Sequence, residues 1–275
     1  WWRRPLLVAS PAERQFCSRE KSMETTLHHQ LKEMFREPGS EIEVRLGRYR
    51  IDVVNGNRLV EIQRSGLASI RDKINRLLQD GHRVDVIKPI VTRKRLIKLN
   101  KRNGDEIDRR WSPLKGSVLD IFEELLYFTQ VFPHPNLNLI IPLMEIEEIR
   151  YPGHGRRRRK RDGDFLVKDR HLLELGETFE FSSVIDLQRL LPQHLPKQFD
   201  TALLAKGLCI PRHQAQRIAY VMRQTGGLVQ MGKQGNAIQY RLVTKSEAKR
   251  DLLAKRPERK ACLREALDRH RQKAA

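Results

Sequence analysis

The sequence predicts a mixed α/β core, a central sheet flanked by helices, followed by a strand-bearing connector and a small helix-turn-helix module with a hairpin. Three observations predict it. Helical and two-residue periodicities follow one another as helix, three strands, helix, strand over residues 24–90. A stretch rich in Lys, Arg and Asn at residues 92–111 then breaks the pattern. Beyond Pro192 and Pro196 the texture changes to short helices and a pair of strands.

From Glu24 the apolar positions Leu27, Leu31, Met34 and Phe35 recur at a helical period, and Pro38-Gly39 stops the helix. Residues 41–54 and 58–63 read as strands, with a bend at Gly47 and with Asn55-Gly56 as the turn of a tight hairpin. Leu67, Ile70, Ile74, Leu77 and Leu78 mark one apolar helix face, and Val84 to Ile90 reads as a buried strand after Gly81. Residues 92–111 are expected to form an exposed connection with a short helix near Lys94 to Leu99. Val118 to Val131 is expected to be helical, Leu137 to Tyr151 extended, and Phe165 to Phe181 a further strand. The basic block Arg156 to Arg161 between them is either a phosphate contact or a solvated loop. The expected divisions are residues 1–22, a non-native or disordered segment outside the fold; a core at 23–100; a connector at 101–182; the helix-turn-helix module at 183–244; and a basic helical tail at 245–275.

The 275 residues carry 54 Lys and Arg against 34 Asp and Glu, a formal net charge of +20. Such a chain is drawn to polyanions by phosphate neutralisation and counterion release, so DNA is the expected partner, with a homodimer open as the assembly state. No run reaches the ~18 apolar residues of a membrane-spanning helix, and no membrane partner is expected. Cys17, Cys209 and Cys262 are far apart and odd in number, which fits neither a disulfide framework nor a zinc site and points to a reducing cytoplasm.

The first hairpin carries the chemistry. With Asn55-Gly56 as the turn, Val54 faces Asn57, Asp52 faces Leu59 and Arg50 faces Glu61. Alternation then projects Asp52, Glu61 and Gln63 from one face. Asp52 and Glu61 become diagonal neighbours with Cα atoms about 7–8 Å apart. Two hard carboxylates, completed by water and a phosphate oxygen, suit Mg²⁺ or Mn²⁺, and such an ion polarises a scissile phosphate. The competing reading is an Arg50–Glu61 ion pair across the hairpin, with Asp52 at a solvated strand end.

The order helix, strand hairpin with Asp, strand with Glu-x-Gln, helix, strand resembles the PD-(D/E)XK nuclease superfamily and its restriction-endonuclease-like core. The tract Arg50-Ile51-Asp52 through Glu61-Ile62-Gln63-Arg64-Ser65 is similar to the nuclease part of competence protein CoiA-like proteins, and the resemblance covers residues 24–90. It implies a divalent-metal-dependent nuclease in which Asp52 and Glu61 are metal ligands and Gln63 stands where the superfamily most often has Lys. An amide hydrogen-bonds water but adds no positive charge. Lys73, on the following helix, and Lys88, at the end of the next strand, are candidates for the missing cation. The resemblance also makes Glu24 a candidate helix-borne acidic group that helps hold metal or water, against the plainer reading of a carboxylate favoured by the helix dipole. Arg71, off the apolar stripe, is a candidate DNA contact alongside Lys88, or else a surface ion-pair partner.

Toward the C-terminus, Asp200 is a suitable N-cap for a helix through Leu203, Leu204 and Ala205, and Gly207 permits a turn. Pro211 begins a second helix whose inward stripe is Ala215, Ile218, Ala219 and Met222; Gly226-Gly227 ends it, and two strands follow around a turn at residues 232–236. This pattern resembles a winged-helix domain over residues 183–244. The resemblance implies a second helix in the major groove and a hairpin against the backbone. His213, Gln214, Arg217 and Gln224 are then candidate groove residues, and Arg212 and Lys233 candidate phosphate contacts. A winged helix used for protein contacts is the alternative. Two functions follow: a Mg²⁺-dependent nuclease hydrolysing phosphodiester bonds, or a non-catalytic winged-helix DNA-binding regulator with a nuclease-like scaffold.

Overall fold

In the computed structural model, which describes residues 25–153 and 164–254, helix α1 (Thr26–Met34) leads into a meander of β1 (Glu41–Leu46), β2 (Tyr49–Asn55) and β3 (Arg58–Ile62). A 3-10 turn at Leu67–Ser69 opens helix α2 (Arg71–Gln79), which crosses over to β4 (Arg83–Ile87), parallel to β3. Then come β5 (Ile90–Leu99), β6 (Glu106–Trp111), the short helix α3 (Ile121–Leu125), β7 (Leu137–Pro152) and β8 (Phe165–Phe181). The sheet order is β1-β2-β3-β4-β7-β5-β6, with β8 on the other edge of β7. β7 is long enough for β4 to pair with its first residues and β5 with its later ones, both parallel, up to Ile87↔Ile140 and from Ile90↔Leu143 onward. Pro89 interrupts the ladder between them because it has no N–H to donate.

Alternation along β7 explains the layering. Leu137, Leu139 and Ile141 enter the larger core with α2, α3, Phe122, Phe128 and Phe132, whereas Met144 and Ile146 enter a smaller core with Leu27 and Leu31 of α1. The architecture is thus a mixed sheet flanked by helices, in the general terms expected. No helix among the described residues is long and apolar enough to cross a membrane.

The remainder is α4 (Val184–Gln188), α5 (Thr201–Leu208), α6 (Arg212–Gln224), the hairpin β9 (Leu228–Gln234) and β10 (Ala237–Leu242), and α7 (Lys245–Ala254). Asp200 caps α5 through Oδ1, which accepts from the Ala202 and Leu203 N–H groups at 2.9 Å. The chain reverses at Cys209, with φ 54°, rather than at Gly207, which lies inside α5; Pro211 is the residue before α6. Phe199 and Tyr240 exchange backbone hydrogen bonds and tie the start of α5 to the hairpin.

Several expectations are corrected. Residues 92–111 are not a loop with a short helix: β5 and β6 fill them. Arg93, Arg95 and Arg109 pair with Glu145 and Glu147 of β7, while every residue of β6 is exposed, as expected of this stretch. Nor are residues 101–182 a connector, since they supply the strand to which β4, β5 and β8 all pair. Within 118–131 only Ile121–Leu125 is α-helical, after a 3-10 turn at Val118–Asp120. The turn of the carboxylate hairpin is Gly56-Asn57, with Asn55↔Arg58 closing it, and the β9–β10 hairpin turns at Gly235-Asn236. Residues 1–22, Glu24, the 156–161 block and the tail beyond residue 254 lie outside the described residues.

Candidate functional site

Moving the turn by one residue changes which side chains meet. The pairs run Val54↔Leu59 and Val53↔Val60, and Asp52 and Glu61 are the next residue on each strand, close enough that the charge of Asp52 acts on the Glu61 carboxyl. On the other side of β2, the pairs Ile42↔Val53 and Val44↔Ile51 bracket Glu43 and Asp52. Glu43, Asp52 and Glu61 therefore sit at neighbouring positions on three adjacent strands. Glu43 was missed from sequence; carrying the register outward from the turn at Gly47 would have placed it. Its backbone is left-handed, with φ 56°, a conformation that costs a non-glycine residue and that concentrates at functional sites.

The three carboxylates are held by different cations. Asp52 Oδ1 faces His28 Nε2 at 3.3 Å and Lys32 Nζ at 3.5 Å, while Oδ2 accepts the Ile62 N–H at 2.9 Å. Lys32 also reaches Glu43 Oε1 at 2.9 Å, and Arg50 pairs with the same carboxylate. The expected alternative of an Arg50–Glu61 pair is not made. Glu61 instead bonds Lys73, whose Nζ lies 2.5 Å from Oε2 and 2.6 Å from the Arg50 carbonyl. His28 and Lys32 are further residues missed by the sequence reading. They sit one turn apart on α1, and nothing in the helix sequence says which strand it covers.

Environment drives the two central carboxyls apart. Burial pushes Asp52 up, but the hydrogen bonds from His28 and the Ile62 N–H, with the charges of His28 and Lys32, outweigh it and hold the group below the ordinary carboxylate range. Glu61 is 9% exposed, and burial raises its carboxyl above the usual value; Lys73 opposes this rise, and the negative charge of Asp52 adds to it.

Asp52 and Gln63 line an open cleft of about 470 Å³ together with His28, Lys32, Glu43 and Arg170, and Glu61 and Lys73 are not among its lining residues. The Gln63 amide reaches Ser65 Oγ, the Gly66 carbonyl and Ser69 Oγ at 2.5, 2.9 and 2.6 Å, so it organises the loop between β3 and α2. Lys88 does not face solvent: it is 6% exposed, with its ammonium on the Ser65 carbonyl at 2.9 Å and Glu124 at 3.1 Å. Arg71 sits on the first turn of α2, paired with Asp72. In the C-terminal module Arg212, His213, Gln224 and Lys233 are exposed and Gln214 is half-buried, whereas Arg217 pairs with Glu123 of α3.

Asp52 and Glu61 offer oxygen donors suited to a hard divalent ion, and their mutual repulsion is what such an ion relieves. Among the described residues no three of His, Cys, Asp and Glu converge into a metal-binding group, so water and substrate oxygens would have to complete the set. Fold and site define an α/β protein with a mixed sheet, cation-flanked carboxylates on three adjacent strands, and a C-terminal pair of helices followed by a hairpin. The chain belongs to the family described as a domain of unknown function, DUF8091, whose profile matches residues 25–182, from α1 through β8. It is similar to an "Uncharacterized protein" of Treponema pallidum (strain Nichols), 33% identical over 221 residues that span 79% of this chain and 85% of that one. No solved structure matches.

Proposed function

We propose that this protein is a Mg²⁺- or Mn²⁺-dependent nuclease of the PD-(D/E)XK type, with the C-terminal module acting as a winged-helix DNA reader. One observation carries the reading: Asp52 and Glu61 lie on adjacent strands within electrostatic reach of each other in an α-β-β-β-α-β order, with a lysine bonded to Glu61. Asp52 and Glu61 would hold the ion. When bound, it supplies Lewis-acid polarisation of a phosphodiester and lowers the pKa of a coordinated water. Lys73 is the cation that Gln63 does not provide, positioned by Glu61 and the Arg50 carbonyl. Gln63 acts as a positioning residue for the 65–69 loop at the rim of the cleft. The Phe199–Tyr240 bridge, the α5–α6 pair and the β9–β10 hairpin follow the winged-helix order.

The rival reading, a DNA-binding regulator with a nuclease-like scaffold, has its own support: each carboxylate already has a cationic partner, and the Gln63 amide is spent on its loop. A cleavage assay on DNA with and without divalent metal, beside calorimetric metal titration, separates them. Asp52→Asn and Glu61→Gln are each expected to abolish cutting while the fold and DNA binding persist. Equal metal affinity and equal cutting in wild type and both variants sinks the nuclease reading; tight, salt-sensitive binding without cutting favours the regulator.

A further inference from the structure

Beyond the Asp52 cleft lies a second one, and a single buried carboxylate joins them. Glu148 of β7 is 1% exposed and is surrounded by Arg150 Nε at 2.6 Å, Arg170 Nε at 2.7 Å and Lys94 Nζ at 3.4 Å. A buried carboxylate needs one good cationic partner to offset its desolvation. Here three surround it, leaving an excess of two positive charges at that point. Arg170 lines the Asp52 cleft and Arg150 lines the second, which holds about 380 Å³. The two clefts are therefore neighbours across the Glu148 cage.

The second cleft is also lined by Lys98, Arg110, Tyr151 and Phe165. Lys98 stands directly opposite Arg150 in the β5–β7 ladder, a like-charge pairing that a sheet disfavours, and it has no ion-pair partner among the described residues. Two aspartates share the lining: Asp108, which holds Arg110 at 3.4 Å, and Asp164. At other positions of the same strands the charges are matched, as Arg93 with Glu145 and Arg95 with Glu147. The Arg150 guanidinium lies 3.9 Å from the centroid of the Phe165 ring, and its bonds to Glu148 hold it there, so ring and guanidinium make one anchored platform.

We propose that this cleft is a nucleotide subsite, taking one phosphate on Lys98 and Arg110 and stacking one unpaired base on the Phe165–Arg150 platform. Lys98, which has no ion-pair partner among the described residues, receives the phosphate, and Arg110 joins it from its exposed pair with Asp108; a base reaches a stacking platform only when it is not paired. The proposal rests on the reading of the Asp52 cleft as a phosphodiester site and adds to it a substrate class: a strand that is single-stranded on the side leading to β6.

The test uses the full chain carrying Asp52→Asn, in chelator, so that binding is read without hydrolysis. Anisotropy of a labelled oligothymidylate strand is followed across a salt series. Lys98→Ala with Arg110→Ala is expected to weaken binding and to shrink the log–log salt slope by about 0.7 per lost phosphate contact. Phe165→Ala is expected to weaken it about five- to one-hundred-fold with the slope unchanged. Thermal melts of the variants accompany the titrations, and the double variant, confined to exposed side chains, answers the question even if Phe165→Ala fails to fold. Unchanged affinity in the double variant overturns the subsite, as does failure of the parent to bind the strand. Poly-glutamate binding as tightly as the oligonucleotide overturns it too, because a plain polyanion patch then suffices. Cleavage is assayed in the Asp52-containing chain: cutting undisturbed by all three substitutions sinks the subsite alone, whereas strand binding that depends on them with no cutting under any metal sinks only the nuclease reading.

Discussion

Asp52 and Glu61 lie on adjacent strands of one sheet, yet their surroundings drive their protonation in opposite directions. Asp52 titrates lower in the folded than in the unfolded chain, so the native state holds fewer protons between the two values. The stability it contributes is complete above its unfolded pKa of about 3.9 and is lost as pH falls through the lower folded value. Asp52→Asn should therefore cost about 1–3 kcal/mol at neutral pH, with the loss shrinking in acid, as read by urea denaturation over a pH series. Glu61 behaves in reverse: its raised value favours the fold in acid, and that contribution is lost as pH climbs from about 4.3 through the folded value. Lys73→Met should raise the Glu61 carboxyl further, seen as a later carboxyl carbon titration by NMR; an unmoved titration would show that Lys73 does not hold that charge. The paired carboxylates were legible because a short hairpin and two-residue alternation fix which side chains become neighbours. Their cations were not, because His28, Lys32 and Lys73 arrive from helices whose docking depends on tertiary packing.

At the level of elements, α1, α2, α5, α6 and the first hairpin were readable from period and turn chemistry, whereas the helix expected over Val118 to Val131 is reduced to Ile121–Leu125. β5 and β6 were not readable, since dense Lys and Arg resemble a loop until a Glu-rich strand is set beside them. The cap of α5 was visible as Asp200 before an apolar run, and Asp200→Ala should lower stability by about 1 kcal/mol in thermal or chemical melts. The contact between α3 and α6 was invisible, because it joins residues 94 apart in the chain, Glu123 and Arg217. If Arg217 reads DNA, it must leave Glu123 to do so. Glu123→Gln should then tighten DNA binding by roughly two- to fivefold, the worth of a surface pair, and unchanged affinity would remove Arg217 from the interface.

Over the whole molecule, the larger core is continuous from Ile51 through Phe122 and Phe132 to Phe199, Ile218 and Tyr240. Side chains beyond residue 182, including Leu187, Leu191 and Leu204, complete a core that the family-matched segment does not close by itself. The full chain should accordingly melt in one transition, with calorimetric and van't Hoff enthalpies in a ratio near ~1. Two separated transitions would mean that the helix-turn-helix folds independently. The sequence suggested separate modules because Pro192 and Pro196 and the change of texture resemble a linker; an apolar surface that closes over another element carries no such local mark.

Lys88 gives the molecule a built-in chemical clock. Its amine is enclosed by the Arg64 and Ser65 carbonyls and Glu124, whereas Lys98 and Lys233 stand in solvent. An amine-acylating reagent should modify those two within its ordinary reaction time and reach Lys88 only when the loop after β3 swings away. The labelling rate at that one amine, followed by mass spectrometry, thus counts how often the rim of the Asp52 cleft opens.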